Sequence, residues 1–171
     1  NYQKNHASVH RTLSTGPAAA WSKPENSSQR KSELKMPELK EKEKRLTEII
    51  RTAGQLAVAF SGGVDSAYLL YAAVKYGCDV KAYYVKSAFQ PQFELDDAKS
   101  LAKSLGADMQ IIKVDVLADP KVVANPSNRC YYCKKGIFGA ILQAAREDGY
   151  TTILDGTNAS DDANDRPGMK A

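Results

Sequence analysis

Past His10 the chain contains no histidine, since both of its histidines, His6 and His10, lie in the leading segment. That absence removes Ser-His-Asp hydrolysis, Cys-His proteolysis and histidine-based zinc catalysis from the chemistries the rest of the chain can run alone. Cysteine is nearly as scarce. Cys78, Cys130 and Cys133 make no disulfide framework, which fits a cytoplasmic protein. No apolar run approaches the length of a membrane span, so no membrane partner is expected. A surplus of charge is missing too. The net charge of +4 arises entirely in residues 1–35, which hold six Lys/Arg against two Glu, while residues 36–171 balance at eighteen against eighteen. The charge total therefore argues for no nucleic-acid partner of the folded part.

What is present suits one globular domain: 171 residues, of which 43% are hydrophobic. Residues 1–35 are rich in Ser, Asn, Lys and Ala without apolar periodicity and are expected to form a disordered leader or tag. Residues 36–171 are expected to form the domain, with Met36 and Pro37 at its start. Within it the stretch LAVAFSGGVDS, Leu56 to Ser66, organises the rest. Leu56 to Phe60 is wholly apolar and short, as in a strand buried on both faces. Ser61, Gly62 and Gly63 break that pattern, and Asp65 opens an apolar helical run through Ala67, Leu70 and Val74. A glycine turn between strand and helix aims backbone N–H groups and the positive end of a helix dipole at one point, where phosphate can sit. The hydroxyls of Ser61 and Ser66 can add donors. Asp65 either caps the helix or holds a hydrated Mg²⁺, or does some of each. An ordinary strand-to-helix turn would use many of the same residues.

Before that strand, Glu38 to Ala53 places Leu39, Leu46, Ile49, Ile50 and Ala53 on one stripe of a packing helix that Gly54 ends. After it, Val80 to Val85 reads as a second strand, with Pro91 in the first turn of the following helix. Leu95, Ala98, Leu101, Ala102 and Leu105 form that helix's inner face. Gln110 to Val114 is a third strand, Asp119 to Asn128 is irregular, and a helix from about Cys130 to Glu147 leads to a fourth strand, Thr151 to Leu154. Strands alternating with helices imply an α/β parallel sheet with right-handed crossovers. The expected strand order is 3-2-1-4. Its switch point, between strands one and four, would bring Ser61 to Ser66 beside the polar loop that begins at Asp155.

In that loop Asp155, Asn158, Asp161 and Arg166 suit metal and anion binding, with a merely solvated loop as the plainer reading. Arg129, Cys130, Cys133 and Lys134 open the helix before strand four. Two thiols fall short of a closed zinc site, and on a helix they share a face, where they are either packed and inert or a redox or cluster pair. Cys78 reads as core.

SGGVDS resembles the signature of the PP-loop ATP pyrophosphatases, which split ATP into AMP and pyrophosphate, and it lacks the GxxxxGK[ST] of a kinase-type loop. Together, AFSGGVDSAYLL, NPSNRCYYCKK, DGTNASD and RPGMKA resemble the LarE family of ATP-dependent sacrificial sulfur transferases, over Pro37 to Ala171. The resemblance implies a Rossmann-like sandwich of the adenine nucleotide alpha hydrolase (HUP) type. It implies ATP and Mg²⁺ as cofactors, and adenylylation of a pyridinium carboxylate mononucleotide during synthesis of a nickel-pincer cofactor. It further implies nucleotide contacts from Ser61, Gly62, Gly63, Val64, Asp65 and Ser66, from Ser87 after strand two, and from Gly156 and Thr157 after strand four. Asp65, Arg129 and Arg166 would be catalytic, and Asp65, Asp155 and Asp161 would hold the metal. Asn164 and Asp165 stand where the family shows an acid and then an aromatic residue. The family's sulfur-donor cysteine lies beyond the position of Ala171 and neither Cys130 nor Cys133 matches it. The resemblance is therefore to the N-terminal domain, expected to adenylylate without transferring sulfur. A homo-oligomer is compatible with the sequence. A tRNA thiolation enzyme of the same superfamily and a non-catalytic adenine-nucleotide module are the alternatives.

Overall fold

The structure, a computed structural model, describes residues 27–157, with side chains from residue 37 onward. The chain divides into two compact units, Asn1–Glu38 and Leu39–Ala171. Helical backbone (α1, Ser27–Ala53) begins inside the stretch expected to be a disordered leader and runs through Pro37. The run SQRKSELK supplies helix formers without an apolar stripe, which is why periodicity alone does not reveal it. Most of the expected leader, residues 1–26, lies outside the described residues.

In the second unit four parallel strands, β1 (Gln55–Ala59), β2 (Asp79–Lys86), β3 (Asp108–Lys113) and β4 (Ile153–Asp155), lie in the order β3-β2-β1-β4. This is the expected order. Between them run α2 (Val64–Lys75), α3 (Gln92–Ser104), the short α4 (Pro120–Val123) and α5 (Arg129–Glu147). A 3₁₀ turn, Val116–Ala118, precedes α4. The stretch expected to be irregular thus holds a helical turn. Asp119 caps it by accepting from the Lys121 N–H at 2.9 Å, with Pro120 at the first position, so the Asp-Pro pair was the signal.

Side chains of β1 and β2 alternate between two cores. On one face Val58, Phe60, Ala82 and Tyr84 pack against Leu70 of α2 and Leu95, Ala98 and Ala102 of α3. On the other, Ala57, Tyr83 and Val85 meet Ile141, Ala144 and Ala145 of α5. A third cluster sets Ile50 of α1 against Leu56, Ala72 and Ala73. A fully buried leucine such as Leu70 contributes about 1.5–3 kcal/mol. The expected α1 stripe is narrower than its apolar residues suggest. Leu46, Ile50 and Ala53 pack, whereas Leu39 and Ile49 are exposed, because Ile49 is turned about 100° from Ile50 around the helix. Among the described residues no helix is long and apolar enough to cross a membrane.

Candidate functional site

The turn between β1 and α2 is built around its own hydroxyls. Buried Ser66 donates to the Gly63 carbonyl at 3.0 Å and accepts from the Ser61 N–H at 3.3 Å, and the Ser61 and Ser66 hydroxyls lie 3.2 Å apart. Ser61 Oγ also accepts from the Gly63 N–H at 3.3 Å. The two serines therefore brace the loop. Gly63 is the N-cap of α2, and no side chain caps the helix. The capping role considered for Asp65 is thereby corrected: it stands inside the first turn, past the cap position. The first amides of a helix have no partner within it, so this uncapped end presents donors and the positive end of a twelve-residue helix dipole. Gly62 turns the chain at φ +79°, where a Cβ would also press on Ala98 Cβ at 3.3 Å.

Pairing of β1 with β4 sets Ala59 opposite Asp155 and delivers the next loop to the same place. A Cβ on Gly156 would lie 2.9 Å from Ser66 N and 3.2 Å from Asp65 Cβ, so only glycine permits this approach. Asp155 Oδ1 accepts from the Thr157 N–H at 2.7 Å, which fixes the carboxylate beside the glycine turn. Asp65, Asp155, Gly156 and Thr157 all line one cavity of about 410 Å³ at the carboxyl edge of the sheet, together with Ser61, Gly63, Val64 and Ser66.

Of its other walls the sequence had singled out only Lys134. Tyr84, Gln90 and Glu94 come from β2 and the start of α3, and Lys134, Ile137 and Phe138 from α5. The signal for the α5 wall was the spacing of Lys134, Ile137, Phe138 and Ile141 on one helical face. Ser87 is not in the lining. Its hydroxyl donates to Gln90 Oε1 at 2.6 Å and accepts from the Phe89 N–H at 3.2 Å, while Lys86 donates to the Gln90 carbonyl, so Ser87 positions Gln90.

Arg129, Cys130 and Cys133 also lie outside the lining. Arg129 donates to Asn125 Oδ1 at 3.0 Å, and its guanidinium stacks over Phe89 with 5.4 Å to the ring centroid, joining α5 to the β2–α3 turn. The N-terminal half of α5 is thus at the same edge of the sheet as the glycine turn. Cys130 is exposed and precedes the cavity-lining Lys134 by one helical turn. Cys78 donates to the Ile50 carbonyl at 3.1 Å, and burial pushes its thiol pKa up, as befits a structural thiol.

Two carboxylates from adjacent elements beside uncapped helix amides fit a hydrated Mg²⁺ bridged to phosphate oxygens. Among the described residues no group of three or more metal-ligating side chains gathers. Asn158, Asp161 and Arg166 lie outside the described residues.

The model of the queuosine biosynthesis protein QueC family matches residues 55–127, from β1 to the approach to α5. Pyridinium-3,5-bisthiocarboxylic acid mononucleotide synthase of Lactiplantibacillus plantarum is 35% identical, covering 80% of this chain and 50% of that protein. The tRNA-specific 2-thiouridylase MnmA of Fervidobacterium nodosum is 27% identical, covering 61% of this chain and 37% of that protein. The chain spans half or less of the length of these curated relatives. In structure it is similar to an NMN synthetase from Francisella tularensis, with a TM-score of 0.57 at 19% identity over 70% of this chain and 55% of the other, a likeness of fold.

Proposed function

We propose that this chain, which carries a PP-loop domain of the ATP pyrophosphatase superfamily, binds ATP and Mg²⁺ in the carboxyl-edge cavity and adenylylates a carboxylate of a pyridinium mononucleotide. The reaction would serve sulfur transfer in nickel-pincer cofactor synthesis. The observation that supports it is the meeting of the glycine turn with Asp155–Thr157 across the β1–β4 pair, made possible by Gly156. The amides at the start of α2 would hold the outer phosphates. Asp65 and Asp155 would hold Mg²⁺, which supplies charge neutralisation of the phosphates. Lys134, on the facing wall, is a cation suited to the second substrate's carboxylate or phosphate.

In the reaction a carboxylate oxygen of the mononucleotide attacks the α-phosphorus. The bond from that phosphorus to the bridging oxygen breaks, and pyrophosphate leaves with the electron pair. The loop has no lysine of the kind that steadies transfer of a terminal phosphoryl group, and a grip on the outer two phosphates favours attack at the inner one. AMP and pyrophosphate are therefore the expected products once the acyl adenylate is consumed. The test is to incubate the protein with ATP, Mg²⁺ and pyridinium-3,5-biscarboxylic acid mononucleotide and to quantify nucleotide products. Pyrophosphate release that depends on the mononucleotide is expected, and ADP as the main product would overturn the proposal.

Similarity to a tRNA-specific 2-thiouridylase favours a second reading, adenylylation of a tRNA uridine. Replacing the mononucleotide by tRNA in the same assay separates the two.

A further inference from the structure

Cys130 and Cys133 stand three residues apart at the start of α5, the first exposed and the second half-buried. The chain is wound tightly there. The Arg129 N–H donates to the Pro126 carbonyl and the Tyr131 N–H to the Asn128 carbonyl, each at 2.9 Å and each reaching back three residues, as in a 3₁₀ turn. In a regular α-helix, residues three apart hold their Cβ atoms about 5–6 Å from each other, whereas a disulfide needs about 3.5–4.5 Å. A 3₁₀ turn eclipses residues three apart, so continuing that winding as far as Cys133 brings the two thiols together. The bond between them therefore forms only as the start of α5 shifts.

What shifts with it is a clasp. Arg129, next to Cys130, donates to Asn125 Oδ1 at 3.0 Å and lies over the Phe89 ring. Asn125 is the one non-glycine residue at positive φ, +49°, among the described residues, and a proline follows it, so the approach to α5 is strained where Arg129 holds it. Phe89 belongs to the β2–α3 turn, in which the Ser87 N–H donates to Gln90 Oε1 at 2.9 Å and the Phe89 N–H to Ser87 Oγ at 3.2 Å. Gln90 of that turn and Lys134, one helical turn past Cys130, both line the cavity. The thiol pair is thus connected to two of the cavity's walls through the start of one helix.

We propose that Cys130 and Cys133 are a redox modification site, whose closure to a disulfide releases the Arg129 clasp and loosens the β2–α3 turn at the cavity wall. The oxidant is a low-molecular-weight disulfide. The exposed Cys130 thiolate attacks one of its sulfurs and expels the other half, then the Cys133 thiolate attacks the Cys130 sulfur and expels the second half. Two protein thiols are oxidised, one small disulfide is reduced to two thiols, and the two thiol protons pass to them. The test equilibrates the protein in glutathione buffers of graded oxidation, maps linked peptides by mass spectrometry and reads amide exchange in the turn. Oxidised wild type should lose two hydrogens between Cys130 and Cys133. The Ser87, Phe89 and Gln90 amides, which are hydrogen-bonded inside the turn, should then exchange about two- to fivefold faster, the effect of one lost stacking contact. Arg129→Ala should show the same faster exchange while reduced and gain nothing further on oxidation, whereas Cys130→Ser should exchange slowly in every buffer. Failure of the two cysteines to link in fully oxidised glutathione would overturn the proposal, as would thiols held by a metal in the isolated protein. A linked protein whose turn exchanges as slowly as the reduced one, or an Arg129→Ala variant with unchanged exchange, would overturn it too.

Discussion

The two edges of the sheet treat their polar side chains in opposite ways. At the amino edge these groups satisfy one another. Asp148 receives Lys81 Nζ and the Tyr83 hydroxyl, each at 2.7 Å, and Asp79 receives the Tyr150 hydroxyl at 3.1 Å and Gln55 Nε2 at 3.0 Å. At the carboxyl edge α2 has no side-chain cap, and Asp65 and Asp155 share one cavity. An edge that holds the fold closes its own hydrogen bonds, and an edge that takes a ligand leaves them open.

The largest effect should come from closing the open edge sterically. Gly62→Val forces a branched residue to φ +79° and drives its side chain into Ala98. The backbone strain alone is roughly 1–2 kcal/mol, so the glycine turn should rearrange, and ATP affinity should fall about tenfold or more. Unchanged affinity by calorimetric titration would show that the turn does not carry the phosphates. A smaller effect is expected from Asp155→Asn. It keeps an acceptor for the Thr157 N–H and removes the charge, so the dependence of ATP affinity on Mg²⁺ should weaken while metal-free binding becomes no weaker, since one carboxylate no longer repels the phosphates. Titrations with and without chelator measure both.

The smallest effect on binding should come from the closed edge. Hydrogen bonds from Lys81 and then Tyr83 hold the Asp148 carboxyl below the usual carboxylate range. A depressed folded-state pKa gives stability that is present above the unfolded value and lost as pH falls through the folded one. Asp148→Asn should therefore lower the melting temperature at neutral pH and flatten its decline below about pH 4. ATP affinity should not change. An equal acid decline in both proteins would show that Asp148 carries none of that stability.

Much of this arrangement was legible in the sequence, because strand order follows from alternating apolar segments. The 3-2-1-4 order brought Ser61–Ser66 and the loop after strand four together before any coordinates did. Periodicity does not reveal which apolar side chains a helix spares, hence exposed Leu39 and Ile49. Apart from Lys134, the far walls of the cavity were missed for a different reason. Gln90, Glu94 and Phe138 carry no motif, and only the fold brings them to the cavity. Ser87 was expected to contact nucleotide by resemblance. Its bond to Gln90 shows how a residue next to a site can act through the side chain it holds.

The contrast between the edges is tested most directly by amide hydrogen exchange with and without ATP and Mg²⁺, which reads both edges at once. Nucleotide should slow exchange in the segments from Phe60 to Ala67 and from Asp155 to Thr157, and leave the segment from Arg146 to Thr152 unchanged. Protection at the amino edge, or none at the carboxyl edge under saturating nucleotide, would contradict the account.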